Sequence, residues 1–533
     1  MVSSLLVDAL TNPTVLVSDL YKSRDRTRSF PVQVSKYFSD IFATQDAFNE
    51  ISVLDLQHPP ESFKPHALVR FDSMVQDTSC PPEIYLSQSP KGECGGWGIS
   101  SPEEGEQDSV DYSLLQECTV VWATSIPGRS RWLDGEASSS DQSAIKSVQS
   151  HKYPLPSTAH IGAQVKIYEP QLAESLRTTD LYSFVGVLTS EPRPASLDST
   201  EHVPVPTIHV LFARPIPSTL VPRSFPDQSL LPDLEVAREK LVSWIADEGL
   251  SGDRLAAEFV LLSIIHKVQS RSPPLLPLSL TLSGYSHASN PTPKLVDVLS
   301  HLVPLCTVLP LSLDAINSTS FFPESKDEDL HSGRLQLPKG SLCMVSELPL
   351  NEGTVSERGL LNLKQVQDMI NHQTLDYVFP FSRYSFETDI NFIVLAAGKR
   401  SAFFTTHLQV PVQAAQSRAS SEAQSSDSSS TIQLPAPELL NQFRKLVGGA
   451  KLANVGLDSS TAAFIQDDFV KERQSAQSNK NAGKGEGIVT SDDLIIRMMV
   501  AKALAASLHS GEVTPQIWER AKVLENERQA RMG

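Results

Sequence analysis

Leu278-Ser279-Leu280-Thr281-Leu282, followed by Ser283-Gly284-Tyr285-Ser286-His287-Ala288-Ser289-Asn290-Pro291-Thr292-Pro293-Lys294, decides how the second half of the chain is read. The first run has the short apolar pattern of a buried strand, and the second stands where a phosphate-binding loop would join that strand to a helix. Such a loop curls several small-residue backbone amides around the phosphates and ends in Lys, then Ser or Thr, at the helix start. Here Gly284 is the one glycine, Pro291 and Pro293 donate no amide, and Leu295 follows Lys294. The pattern therefore predicts strand, turn and helix without triphosphate binding in the usual manner.

Working outward, Leu305 to Leu311, Leu342 to Val345 and Phe392 to Ala396 are further apolar runs, with helical spacing in Lys294 to Leu302 and Asn362 to Asn371 between them. Strands alternating with helices imply an α/β layer with a largely parallel sheet, assigned to residues 273–412. Upstream, Leu234 to Ala246 starts after the cap signal Pro232-Asp233, and Arg254 to Val268 carries Leu255, Phe259, Leu262 and Ile265 along one face. These helices form a predicted connector over 216–272, closed by Pro273, Pro274 and Pro277. Further upstream, Ala67 to Phe71, Glu83 to Leu86, Cys118 to Trp122, Gln164 to Tyr168, Leu181 to Leu188 and Ile208 to Phe212 are short β-rich runs between Pro, Gly and Ser clusters. They predict a small β-barrel over 61–215, of the OB type, with a disordered insertion at about 134–160. Thr14 to Tyr21 and Val32 to Phe42 predict a helical N-terminal region over 1–60. Downstream, the Ser-rich stretch 413–433 is too polar to order itself. Residues 434–533 predict lid-like helices at Pro437 to Val447, Ser460 to Arg473, Asp492 to Leu508 and Pro515 to Ala530, with a flexible connection from Gln474 to Gly487. The fold class is α+β and multidomain.

Composition narrows the function. A chain of 533 residues exceeds what one hydrophobic core supports. The formal net charge of −17 argues against broad affinity for nucleic acid, which rests on Lys and Arg displacing counterions from phosphates. Cys80, Cys94, Cys118, Cys306 and Cys343 are scattered, with no C-x-x-C pair, so neither a disulfide framework nor a zinc site is indicated and a reduced compartment fits. No basic n-region with an apolar core opens the chain, and no apolar run approaches the roughly 20 residues of a membrane span. No cluster of Lys and Arg marks nuclear import.

Several motifs of the α/β region resemble the minichromosome maintenance (MCM) AAA+ ATPases. Ser341-Leu342-Cys343-Met344-Val345-Ser346-Glu347 resembles their apolar strand ending in Asp-Glu, with Ser346 at the metal-binding Asp. Asn362 to Asp376 resembles the helix and hairpin start that follow. Asp389 to Gly398 is similar to their sensor strand, with Gly398 where Asn closes it. Leu434 to Arg444 resembles the arginine-finger segment, with Gln442 at the finger, and Thr490 to Ser507 resembles the lid helix, with Asp492 at its sensor arginine. Phosphoryl transfer depends on Lys, Mg²⁺ and arginine to position and stabilise charge, and these supports are replaced. The resemblance thus implies a degenerate AAA+-like scaffold without motor activity, in which Glu347 is a relic carboxylate.

Within that likeness, the chain is similar to the MCM complex-binding protein family over most of its length. The runs that carry it are Leu68-Val69-Arg70-Phe71-Asp72-Ser73-Met74-Val75-Gln76-Asp77, Ser251 to Leu262, Gln336-Leu337-Pro338 and Asp467 to Arg473. The resemblance implies a nuclear, non-enzymatic partner of MCM helicase subunits that influences their assembly, loading or unloading in DNA replication, associates with chromatin through the complex, and supports sister chromatid cohesion. It calls for no catalytic residue, cofactor or metal.

Other candidates carry two readings each. Trp97, Trp122 and Trp132 could stack bases on a barrel surface, but acidic Glu103, Glu104, Glu106 and Asp108 nearby favour packing. Arg129 and Arg131 could touch phosphate, or sit in a solvated turn. Gly483-Lys484-Gly485 follows no strand and precedes no Ser or Thr, so it is not read as a phosphate loop. Leu494, Met498, Ala501 and Leu504 could grip a partner, or face their own core; Trp518, Leu524, Arg528 and Arg531 are a candidate docking element. No H-x-x-x-H pair encloses a Glu, so a zinc hydrolase has no support. Two other classes compete with an interaction protein: an atypical ATPase using Gly284 to Lys294, and a single-strand-binding barrel.

Overall fold

The structure is a computed structural model and describes residues 4–25, 29–89, 92–99, 111–133, 149–194, 202–285, 293–413, 432–481 and 490–532. Most of the predicted insertion, the polar stretch 414–431, Gly483 to Gly485 and the acidic run from Glu103 lie outside them.

Helices α1 (Ser4–Thr11), α2 (Pro13–Lys22), α3 (Phe30–Ile41) and α4 (Gln45–Asn49) open the chain. Their apolar faces, through Val17, Val34, Phe38 and Phe48, share one core with Val185, Val187, Leu211 and Phe212 of the barrel behind them. That barrel is built from β1 (Leu68–Asp77), β2 (Glu83–Leu86), β3 (Leu115–Ser125), β4 (Gly162–Ile167), the short helix α5 (Pro170–Ser175), β5 (Leu181–Pro194) and β6 (His202–Pro215). The order β1-β5-β6-β4-β3 is closed by β3 pairing back on β1, with β2 as a flap on β3. All pairings in the ring are antiparallel except β4 with β6. Alternate inward residues such as Val69, Phe71, Val121, Val165, Phe184 and Ile208 fill the interior, as strand periodicity requires.

Helices α6 (Leu234–Gly249) and α7 (Arg254–Ile265) follow. Asp233 stands at the N-cap of α6 without accepting a hydrogen bond there, whereas Asp253 caps α7 by accepting from the Ala256 amide at 3.1 Å. The one-faced reading of α7 is corrected: every residue from Leu255 to Ile265 is buried. A helix apolar all round lies at the centre of a core, and α6 and α7 belong to the same core as the sheet.

That sheet follows the small hairpin β7 (Ser270–Arg271) and β8 (Pro274–Leu275). In chain order its elements are β9 (Leu280–Ser283), α8 (Lys294–Ser300), β10 (Cys306–Pro310), α9 (Leu313–Ser318), the hairpin β11 (Glu324–Lys326) and β12 (Asp329–His331), β13 (Leu342–Ser346), α10 (Glu357–His372), the hairpin β14 (Thr374–Phe379) and β15 (Ser382–Glu387), β16 (Asn391–Leu395) and β17 (Leu408–Pro411). The five central strands are all parallel, in the order β10-β13-β16-β9-β17. Both faces are covered, which is why the strands read as unbroken apolar runs. Leu280, Leu282, Met344 and Ile393 face α6 to α8 and the C-terminal helices; Cys343, Val345, Phe392 and Val394 face α10 and the hairpins.

The C-terminal helices are α11 (Pro437–Leu452), α12 (Ser459–Asn481), α13 (Ser491–Ser507) and α14 (Pro515–Ala530). The expected break at Gln474 is corrected: α12 continues to Asn481, since no Gly or Pro interrupts Gln474 to Asn481. The partner-gripping reading of α13 gives way to core packing, because Ala501 and Leu504 are buried and Leu494 and Met498 pack on the same core. The docking reading of α14 fails similarly: Trp518 is buried, Arg528 pairs with Glu525 at 2.5 Å, and Arg531 pairs with Asp253 at 2.6 Å.

Candidate functional site

In open α/β sheets, ligands bind beyond the carboxyl ends of the strands. At those ends, the structure brings together Gly284, Ser346, Glu347 and Gly398. The Gly284 amide donates to the Gly398 carbonyl at 2.9 Å, and the Tyr285 amide to the Ala396 carbonyl at 3.0 Å. The chain leaving β9 is thus tied onto the chain leaving β16. Tyr285 turns inward, where its hydroxyl donates to the Gly249 carbonyl at 3.2 Å and burial pushes its pKa up to about 12. The Glu347 carboxylate accepts from Ser401 Oγ at 2.6 Å and from the Ala402 amide at 3.0 Å. Both of its oxygens are therefore used in fastening the turn after β16. Lys294 is exposed on the first turn of α8, and Gln442 and Asp492 are exposed on α11 and α13.

Motifs singled out in the sequence meet elsewhere, where the barrel joins the β11/β12 and β14/β15 hairpins, which form a four-stranded sheet of their own. Gln76 Nε2 donates to the Leu330 carbonyl at 3.3 Å, while Gln336 Nε2 donates to the Gln76 carbonyl at 2.8 Å and to Tyr377 Oη at 3.0 Å. Next to them, Lys152 is wholly buried, 2.9 Å from Asp77 Oδ2 and 2.6 Å from Asp329 Oδ1. His151 reaches the other Asp329 oxygen at 2.7 Å. Although burial alone would raise it, the Asp329 carboxyl is held well below the usual carboxylate range by the hydrogen bond from His151 and the Lys152 charge. Burial, then the positive groups around it, lowers His331, whose ring centroid lies 4.2 Å from that of His151. Lys152 lies within the stretch read as disordered insertion, so that expectation is corrected for residues 149–160. A Ser-rich surrounding gave no signal that one lysine anchors the segment.

The turn carrying Arg129 and Arg131 lies along β10, with the Ser130 amide donating to the Pro304 carbonyl at 2.9 Å and the Cys306 amide to the Gly128 carbonyl at 2.8 Å; Arg129 is half-buried there and Arg131 is exposed. Base stacking by Trp97 and Trp122 is excluded, since each is 1% exposed, and Trp132 instead lies under the Arg444 guanidinium at 4.3 Å. The remaining motifs are joints as well. Glu258 makes a two-pronged pair with buried Arg238 at 2.9 and 2.8 Å, and Asp468 accepts from Trp518 Nε1 at 2.9 Å and Lys522 at 2.7 Å. Sequence reasoning missed His151, Lys152, Asp329 and His331; its one available signal was Asp329-Leu330-His331, whose outer members share a strand face.

These features define a class: mixed α/β proteins in which a closed barrel is bolted to a parallel sheet covered on both faces. Residues 124–532 match the family described as Mini-chromosome maintenance replisome factor, and the chain belongs to that family. Relatives named Mini-chromosome maintenance complex-binding protein include one from Danio rerio, 25% identical over 97% of this chain and 96% of its own length. One from Salmo salar is 27% identical over 98% and 97%, and one from Arabidopsis thaliana 24% identical over 98% and 99%. No helix among the described residues is long and apolar enough to cross a membrane.

Proposed function

We propose that this chain is a non-catalytic binding partner of the MCM helicase complex, acting in the nucleus on the assembly, loading or unloading of that complex during DNA replication, with a consequent role in sister chromatid cohesion. The observation that carries the reading is near-full-length similarity to animal and plant relatives named for binding that complex. We read the barrel as OB-type, on the closed five-strand ring with a parallel β4/β6 pair and α5 between β4 and β5. We read the sheet as a degenerate AAA+-type sheet, on its strand order, with the first strand β9 lying between the last two, β16 and β17. The division into barrel, sheet and lid helices follows from the same reading.

A scaffold of this kind keeps the shape by which helicase subunits recognise each other while its nucleotide corner is spent on internal bonds. Glu347 supports this, since a carboxylate holding Ser401 and Ala402 is not free to activate water. Direct nucleic-acid binding through tryptophan stacking has little support, given the burial of Trp97 and Trp122 and the acidic net charge of −17. The test is affinity purification of the tagged full chain from nuclear extract, with partners identified by mass spectrometry. MCM subunits are the expected catch, and their consistent absence refutes the proposal.

A further inference from the structure

We propose that His151, Asp329 and His331 form a binding site for a zinc-type divalent transition-metal ion that clamps the barrel to the α/β region. One ligand atom from each lies within 4.8 Å of the others. His151 comes from the segment between β3 and β4, whereas Asp329 and His331 stand two apart on β12 and so share one strand face. An ion bound here bridges segments 178 residues apart in sequence.

The donor chemistry selects the metal. Two imidazole nitrogens and one carboxylate oxygen suit zinc, and disfavour calcium or magnesium, which take oxygen donors. Metal–ligand distances of about 2.0 to 2.2 Å place tetrahedral donors roughly 3.4 Å apart, so the set has to contract by an ångström or so. The partly exposed His151 and His331 side chains have room for that adjustment, and water has access to the fourth position. Outer contacts are in place too. Lys152 holds the second Asp329 oxygen, and the Ser332 amide donates to the His151 carbonyl at 2.8 Å. Asp77 and Asp329 flank the buried Lys152 ammonium, and Lys326, whose charge also reaches His331, is paired with Glu324 at 3.2 Å.

The experiment uses the purified full chain, stripped with a chelator and titrated with Zn²⁺ against a chromophoric competitor, then with Co²⁺ for its visible d–d absorption. One equivalent of each ion is expected to bind. His151→Ala and His331→Ala are expected to weaken zinc binding at least about tenfold and to remove the cobalt spectrum. His58→Ala, at an exposed histidine paired with Asp55, leaves both unchanged. Zinc is also expected to raise the thermal midpoint of the unaltered chain. Absence of a one-to-one cobalt spectrum in the unaltered chain overturns the proposal without reference to any variant. Equal zinc affinity in the folded variants overturns it as well.

Discussion

Lys152→Met removes the buried cation that stands between Asp77 and Asp329 while nearly preserving side-chain length. Lys152 is 0% exposed and its ammonium touches Asp77, Asp329 and, at 3.3 Å, the Leu330 carbonyl. Asp329 retains His151 and some access to water, but the Asp77 side chain is 3% exposed and keeps only the Ser79 amide and hydroxyl, both on Oδ1. Leaving a buried charge without its partner costs about 3–5 kcal/mol, a large part of the roughly 5–15 kcal/mol by which a domain is stable. Urea unfolding followed by circular dichroism is expected to show that loss, with faster proteolytic cutting in residues 149–160. Adding Asp77→Asn to Lys152→Met is expected to recover part of it, because the orphaned charge is then gone. A loss under about 1 kcal/mol, or no recovery in the double variant, refutes a fastening role for this buried ion pair between the barrel and the β11/β12 hairpin.

Other perturbations test separate joints. Arg238→Met leaves Glu258 with Arg520 Nη2 at 3.5 Å in place of its two-pronged partner and breaks the bond to Ser507 Oγ at 2.8 Å, with an expected loss of about 3 kcal/mol in urea unfolding. Gly128→Ala sets a Cβ 2.4 Å from Thr307 at a positive φ of 71°, and is expected to lower stability by about 1–3 kcal/mol and loosen the turn from β10, read by amide hydrogen exchange at Cys306. His266 is fully buried, and burial, with His407 and Lys451 nearby, lowers its pKa to about 3. The unfolded chain takes up this proton near pH 6.5 and the folded chain does not, so its contribution is complete above that pH and declines by about 1.4 kcal/mol per unit down to pH 3. His266→Leu is expected to flatten that part of the stability–pH curve.

The sequence shows the central strands well because a parallel sheet covered on both faces leaves continuous apolar runs, as in Leu342 to Val345 and Phe392 to Leu395. Strands of two to four residues, such as β7, β8, β12 and β17, carry too few positions for a period to register. The full burial of α7 was hidden because an apolar stripe and an all-round apolar helix differ only at positions such as Ala256 and Ser263. Motif reading found Gln76, Asp77 and Gln336 without finding their purpose, since the bonds joining them span as many as 260 residues. Lys152 sits in a Ser-rich neighbourhood whose composition points to solvent, and one buried ion pair outweighs that tendency locally.

On the proposed reading, the strand ends keep the layout of a nucleotide-binding sheet while Glu347 and the chain leaving β9 are held in internal bonds. The most direct test of that reading is magnesium-dependent ATP hydrolysis by the purified full chain, measured beside Glu347→Gln. No turnover above background is expected in either protein. Hydrolysis by the unaltered chain that disappears in Glu347→Gln contradicts the reading.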